Sequence, residues 1–329
     1  MKRTAVNRIK QSGSGFTLLE TLLLVAVLGV VIVGTFSLST PHRESRRFTI
    51  SDHQLSEIRR AVVGDLEAQQ EEYQLLCGFV PDMGRLPNKL RELLHQGDLP
   101  AWSYDPVSDL WSGWRGPYLS SVTHLNGALA YPDAWGNPGD TNNFGWRFEP
   151  DQDEGLLLVQ SYGADGSSGG TGYDLDFPVA NHLISSREAL IDISGWGITV
   201  HLHNPADIGE PGPGLPSTDL TFRVRVYYPE DGSMDWPEIW PPSSLERDEQ
   251  AYLSPSHTIL AGSVSDGDVE TIAITFGEDP KLVPFGVRSL GLVDDQDGSV
   301  VGDSNQETWR VSLLSRMKLP PSSLAWNLE

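Results

Sequence analysis

The sequence predicts an α+β chain: a long N-terminal transmembrane/amphipathic helix packed on a small antiparallel sheet, followed by an all-β sandwich-like domain. Three observations predict it. An apolar run fills residues 16–38, with Glu20 its only ionisable residue. Apolar residues then recur at steps of three and four, from Leu55 through Ile58 and Val62 to Leu66, Tyr73 and Leu76, which sets one apolar face on a helix. Beyond that the 329-residue chain breaks into short alternating runs, with 33 Gly and 23 Pro supplying turns, a composition that disfavours a helical bundle.

Residues 1–15 form a basic leader, with Lys2, Arg3, Arg8 and Lys10 and no acid. Residues 16–40 follow as the expected transmembrane segment. Phe16 to Leu38 would make roughly 34 Å of helix at 1.5 Å per residue, enough for a bilayer core about 30 Å thick. The basic flank would stay on the cytoplasmic side. Pro41 is expected to interrupt this apolar helix, because proline lacks the amide hydrogen and crowds the preceding turn. Glu20 is the anomaly. An acid in an apolar helix is unfavourable unless it has a partner, so it reads as functional.

Residues 41–178 read as a head. The amphipathic helix enters it, and Cys77, the chain's one cysteine, is expected to be buried near the helix end. A short helix is expected over Asn88–His95, and a hairpin pairs the GWRFEP and LLLVQSYG runs across an acidic turn at Asp151–Gly155. Residues 179–329 hold further short alternating runs, among them IDISGWGITVHLH, LTFRVRVYY and GVRSLGLVDD. Their spacing suits a sandwich of about seven antiparallel strands.

The order at the N-terminus is basic leader, Gly15, Phe16, Thr17, then Glu20 as the fifth residue after the glycine. It resembles the class III signal of type IV pilins and of the pseudopilins of type II secretion. The resemblance extends along the head through Trp114-Arg115-Gly116-Pro117-Tyr118, Asp133-Ala134-Trp135-Gly136-Asn137-Pro138 and Ser161-Tyr162-Gly163-Ala164-Asp165-Gly166. These strings stand in the order found in major pseudopilins, and the likeness covers about residues 8–178. The chain departs from that family by continuing about 150 residues further.

The resemblance implies a structural subunit and not an enzyme. Prepilin peptidase would cut after Gly15, the new amine on Phe16 would be N-methylated, and Glu20 would set the register against a neighbour's amine. The partners implied are other pseudopilins in a homo- or hetero-polymeric filament and an inner-membrane secretion platform. The expected placement is inner membrane, single-pass, with the C-terminal domains periplasmic. A pilin of a surface or DNA-uptake pilus, or a membrane-anchored glycan- or protein-binding protein, are the alternative readings. The likeness also implies a structural Ca²⁺ in the Gly-rich loop, where Asp165, Asp174 and Asp176 gather oxygen ligands on a bendable chain.

Other patterns point less far. A formal charge of −22 argues against nucleic acid, whose phosphates need clustered Lys and Arg. One cysteine excludes a disulfide framework and CxxC metal knuckles. His201 and His203 alternate on one strand face, but the sequence places no third zinc ligand. Asp294-Asp295-Gln296-Asp297-Gly298 reads as a solvated hairpin turn. Trp196, Trp236 and Trp240 read mainly as core aromatics.

Overall fold

The computed structural model describes residues 17–64, 77–106, 108–120, 122–125, 127–137, 139–179, 182–204, 218–229, 253–265, 268–278, 282–295, 308–313, 319 and 322–327. The chain divides into two compact units, Met1–Thr49 and Ile50–Glu329.

Helix α1 runs over Leu18–Val63, 46 residues. In the first unit its described side chains from Leu18 to Val30 are apolar apart from Glu20 and Thr21, and they are exposed. Among the described residues no helix is long and apolar enough to cross a membrane. The expected transmembrane helix is therefore overturned, and with it the fold class built on it and the inner-membrane, single-pass placement with periplasmic C-terminal domains. The helix also continues through Pro41 without ending there.

In the second unit α1 buries the face that its spacing predicts: Ser51, Leu55, Ile58 and Val62. Its end comes earlier than the pattern suggests. Gly64 takes a left-handed φ of 76°, and its amide bonds to the Arg60 carbonyl at 2.8 Å, a common helix stop. A Cβ at Gly64 would lie 2.9 Å from the Cys77 carbonyl oxygen, so the chain returns at residue 77 to the point it left. Leu66, Tyr73 and Leu76 lie outside the described residues. Cys77 is exposed, not buried.

The rest is a set of short elements. Helix α2 is Phe79–Met83, and a single 3₁₀ turn at Leu90–Leu93 replaces the expected helix over Asn88–His95. Strands β1 (Ser103–Asp105) and β2 (Leu110–Ser112) pair, as do β3 (Thr123–Leu125) with β4 (Ala128–Ala130) and β5 (Trp146–Asp151) with β6 (Leu156–Ser161). The β5–β6 hairpin is the one the sequence pattern predicts, with Trp146 opposite Ser161. The single small sheet expected under the helix is instead these separate two-stranded pairs.

After α3 (Ser186–Ala189) come β7 (Leu190–Asp192), β8 (Gly197–His203), β9 (Leu220–Tyr227), β10 (His257–Ile259), β11 (Val269–Thr275), β12 (Leu282–Pro284), β13 (Gly286–Asp294), β14 (Thr308–Leu313) and β15 (Ser322–Asn327). One sheet has the order β10-β9-β13-β14, another β11-β8-β15, and β12 pairs with β7. The second sheet is not wholly antiparallel, because β15 runs parallel to β8.

A single apolar core runs from Leu55 and Ile58 of α1 through Phe79, Leu93 and Val159 to Val200, Val224, Phe285 and Leu292. Burial of this kind is worth about 25 cal/mol per Å² of apolar surface, so the strands after residue 179 and the helix before residue 64 stabilise one another. Polar pegs reinforce the join. Arg59 of α1 pairs with Glu188 of α3, and the Arg288 guanidinium of β13 donates to the Pro81 carbonyl of α2. We expect a fragment ending at residue 181 to lose its folded core, read as collapse of near-UV circular dichroism and rapid proteolysis. A protease-resistant fragment with native dispersion would contradict this.

Candidate functional site

The three strings of the head are hydrogen-bonded joints. The first centres on Asp82 of α2, whose side chain is 2% exposed. Arg115 grips it with two bonds, Nε to Oδ2 at 3.1 Å and Nη2 to Oδ1 at 2.8 Å. Tyr118 donates its hydroxyl to Oδ2 at 3.0 Å. Trp114 donates Nε1–H to the Glu92 carbonyl at 2.7 Å, and the Tyr118 amide bonds the Leu93 carbonyl. Gly116 sits under both rings, and a Cβ there would come within 2.8 Å of Trp114 and Tyr118 carbons. Trp, Arg, Gly and Tyr in this string are thus each set by a contact.

Burial pushes the Asp82 carboxyl up to about 7, against the pull of Arg115, the Tyr118 hydroxyl and the more distant Arg288. The sign follows from linkage: a carboxyl raised by folding contributes stability at acid pH, and that contribution fades as pH rises through about 7. Burial likewise lowers Arg288 to about 9.

The second and third strings meet at Asp133, which is 4% exposed. Its Oδ1 accepts the amides of Gly136 at 2.8 Å and Asn137 at 3.1 Å. Its Oδ2 accepts Asn137 Nδ2 at 2.8 Å and the Ser161 hydroxyl at 2.6 Å. Asn137 Nδ2 also donates to the Gly163 carbonyl at 2.9 Å. The Ala134 amide reaches Ser51 Oγ on α1 at 3.2 Å, and Gln54 donates to the Pro132 carbonyl. One carboxylate therefore docks the Asp133–Asn137 turn onto the start of the Gly-rich loop, and the adjacent residues dock it onto the helix.

That loop carries Asp165, Asp174 and Asp176. Asp165 Oδ1 accepts the Ser167 amide at 3.0 Å, a local turn. Asp174 lies at the end of a 3₁₀ turn over Gly172–Asp174 and is exposed. Its carbonyl oxygen would meet a Cβ at Gly163 (2.9 Å) or at Gly170 (2.4 Å), so two glycines pack close around it. Asp176 Oδ2 accepts the Ser168 hydroxyl at 3.3 Å, while its Oδ1 is buried with no hydrogen-bond partner. Oxygen chemistry on a glycine-rich chain fits a hard cation, and the orphaned Oδ1 is an acceptor such an ion would satisfy. Among the described residues, no three His, Cys, Asp or Glu side chains stand together as a metal group.

At the N-terminus, Gly15 and Phe16 lie outside the described residues. Glu20 stands in the first turn of α1. Its Oε2 accepts the Thr17 amide at 3.0 Å and the Thr17 hydroxyl at 3.1 Å, while Thr17 Oγ1 accepts the Glu20 amide at 3.3 Å. This is a reciprocal capping box. Sequence reasoning assigned Glu20 a partner in another subunit and missed this local one, although Thr-x-x-Glu before an apolar run signals it.

Elsewhere, His201 Nδ1 lies 3.0 Å from Thr271 Oγ1. Trp196 stacks on Phe276 in the core, whereas Trp236 and Trp240 are outside the described residues. Asp295 pairs with Arg223 and accepts the Ser256 hydroxyl, and Asp297 is outside the described residues. Asp82 carried no signal in sequence, because its partners lie more than thirty residues away. Comparison of the chain with protein-family models, with curated proteins and with solved structures finds no match.

Asp133→Ala removes four accepted bonds in a buried setting and strands the Ser161 hydroxyl. A loss of about 2–4 kcal/mol is expected, read from denaturant unfolding. In chelator-treated protein, Asp165→Ala, on the loop surface, should leave the midpoint nearly unchanged. Equal midpoints for the two variants would refute the joint at Asp133.

Proposed function

We propose that the protein is a pseudopilin-like structural subunit of a type II secretion, type IV pilus-like filament. In this reading prepilin peptidase cuts after Gly15, Phe16 becomes the N-methylated first residue, and the filament helps export folded proteins. The work is mechanical, with other pseudopilins as partners. One observation carries the reading: the exposed apolar stretch Leu18–Val30 at the start of α1, led by Glu20. Apolar surface of this extent drives association in water. Copies of the same helix offer a matching surface, so a bundle of α1 helices covers it. Packed helices approach to about 8–10 Å, close enough for a carboxylate to reach a neighbouring N-terminus.

The capping box bears on this assembly. Both Thr17 bonds land on Glu20 Oε2, so Oε1 is the oxygen assigned to the neighbour's Phe16 amine. A carboxylate near a helix N-terminus is also favoured by the helix dipole, by about 0.3–1 kcal/mol. Thr17 thus holds the Glu20 side chain at the end of the helix where the new amine will lie.

Intact mass of the purified protein should correspond to a chain starting at methylated Phe16. Gly15→Val should retain the leader, because a branched side chain obstructs a cleft that accommodates glycine. Glu20→Ala should be processed normally but yield no sedimentable filaments. Processing of Gly15→Val at the usual site, or normal filament yield from Glu20→Ala, would each sink the reading.

Calcium is the second part of the proposal. Asp176 Oδ1 would be the first ligand, with the Asp165 and Asp174 carboxylates drawn in around a bound ion, which would fix the Gly-rich loop behind Asp133. A ligand at about 100 times its Kd adds about 2.7 kcal/mol of stability. Adding calcium to chelator-treated protein should therefore raise the melting temperature, and Asp176→Asn should abolish most of the rise. Identical melts with calcium and with chelator would remove the metal from the account.

A further inference from the structure

We propose that the β1–β2 hairpin is a stacking platform for an uncharged glycan. The proposal is independent of filament assembly. Three aromatic rings meet on this hairpin. Trp102 and Trp111 stack with centroids 6.0 Å apart and planes 15° apart. Tyr104 leans on Trp111 at 5.5 Å. Trp111 is 52% exposed and Tyr104 43%, so the two face solvent.

The rings are held by charges, not by burial. The Arg115 guanidinium lies 4.5 Å from the Trp102 ring centroid and is itself fixed by its two bonds to Asp82. The Tyr104 hydroxyl donates to Asp109 Oδ1 at 2.6 Å. Asp109 has a left-handed φ of 55°, uncommon for a residue with a side chain. Arg310 of β14 holds it there, Nε to the Asp109 carbonyl at 2.9 Å and Nη2 to Oδ1 at 2.6 Å. A sparsely populated backbone conformation held by its surroundings is grounds for a functional hypothesis. Here it fixes an aromatic array before any ligand arrives, which reduces the ordering penalty of binding.

The chemistry selects the ligand. A pyranose offers a C–H face to an aromatic ring and hydroxyls to the rim, where the Asp109 carboxylate accepts and the Arg310 guanidinium donates. An apolar protein surface would instead strip water from the Asp109–Arg310 ion pair and supply no new hydrogen bonds in return, and the centres of protein interfaces are depleted in charge. An acidic polysaccharide would be repelled by a chain of net charge −22. A neutral sugar polymer meets neither penalty.

The test is tryptophan emission of the full chain titrated with cellohexaose, xylohexaose, mannohexaose and chitohexaose. At least one should give a saturable change below about 10 mM, an affinity in the range of a few stacked rings. Trp111→Ala and Tyr104→Ala should each weaken that response about tenfold, with unchanged melting temperature because both side chains are exposed. Trp111→Phe should restore part of it, which a merely structural role would not produce. The proposal is overturned if none of the four sugars binds below that concentration. It is equally overturned if binding survives Trp111→Ala undiminished, or if Trp111→Ala changes only the sedimentation coefficient, which would mark the hairpin as a contact between copies.

Discussion

The buried guanidinium of Arg288 constrains the larger unit more than any other group. Its residue is 1% exposed, and moving a cation out of water is opposed by several kcal/mol unless its donors are met. They are met by backbone: Nε by Pro284, Nη1 by Pro81 and Val287, Nη2 by Phe285. Three of these carbonyls lie where β12 passes into β13, at Pro284, Phe285 and Val287, and the fourth belongs to α2, more than two hundred residues earlier. Burial lowers Arg288, and Tyr228 and then Asp82, beside Pro81, act against that burial in favour of the cationic form. Separating the early and late halves of the unit would leave this cation in an apolar core with a donor unpaired.

From that anchor the polar joints spread outward in a connected series. Asp82 holds Arg115 and Tyr118, and Arg115 holds Trp102. Separately, Asp133 ties its own turn to Ser161, and its neighbour Asn137 bonds the Gly-rich loop. Both carboxylates are nearly buried, and each is acceptable only because its oxygens are filled by donors: Arg115 and Tyr118 from far along the chain for Asp82, and its own turn plus the distant Ser161 for Asp133. The recurring strings of the head are therefore best understood as the donor and acceptor sets of two buried acids. In the first string Trp114, Gly116 and Tyr118 pack on one another beside Asp82.

The first unit obeys a different physics. The Leu18–Val30 side chains of α1 are exposed, and the helix start is satisfied within itself by Thr17 and Glu20. Hydrophobic surface left open by the fold of one chain is surface on which another molecule acts. The larger unit closes its own core, whereas this part of α1 does not, and assembly is the physical use proposed for the difference.

What the sequence by itself determined was local. The three-and-four spacing set which face of α1 is buried at Leu55, Ile58 and Val62. The polar turn at Asp151–Gly155 set the β5–β6 hairpin. The order Gly15, Phe16, Glu20 supplied the resemblance from which the proposed processing comes. Each rests on neighbours within one or two turns of chain, so each is legible in a window of residues. Tertiary structure decided the rest, because the deciding contacts join residues far apart. Gly64 stops α1 against Cys77, where periodicity alone would have carried the helix to Leu76. A parallel β15 completes the sheet of β8, and Arg288 binds the strands after residue 179 to α2. The buried oxygen without a partner in the acidic loop is Asp176 Oδ1, and composition cannot say which carboxylate oxygen the fold will bury. Trp111 and Tyr104 are exposed while Trp196 is in the core, since burial depends on what packs above a residue and not on its type.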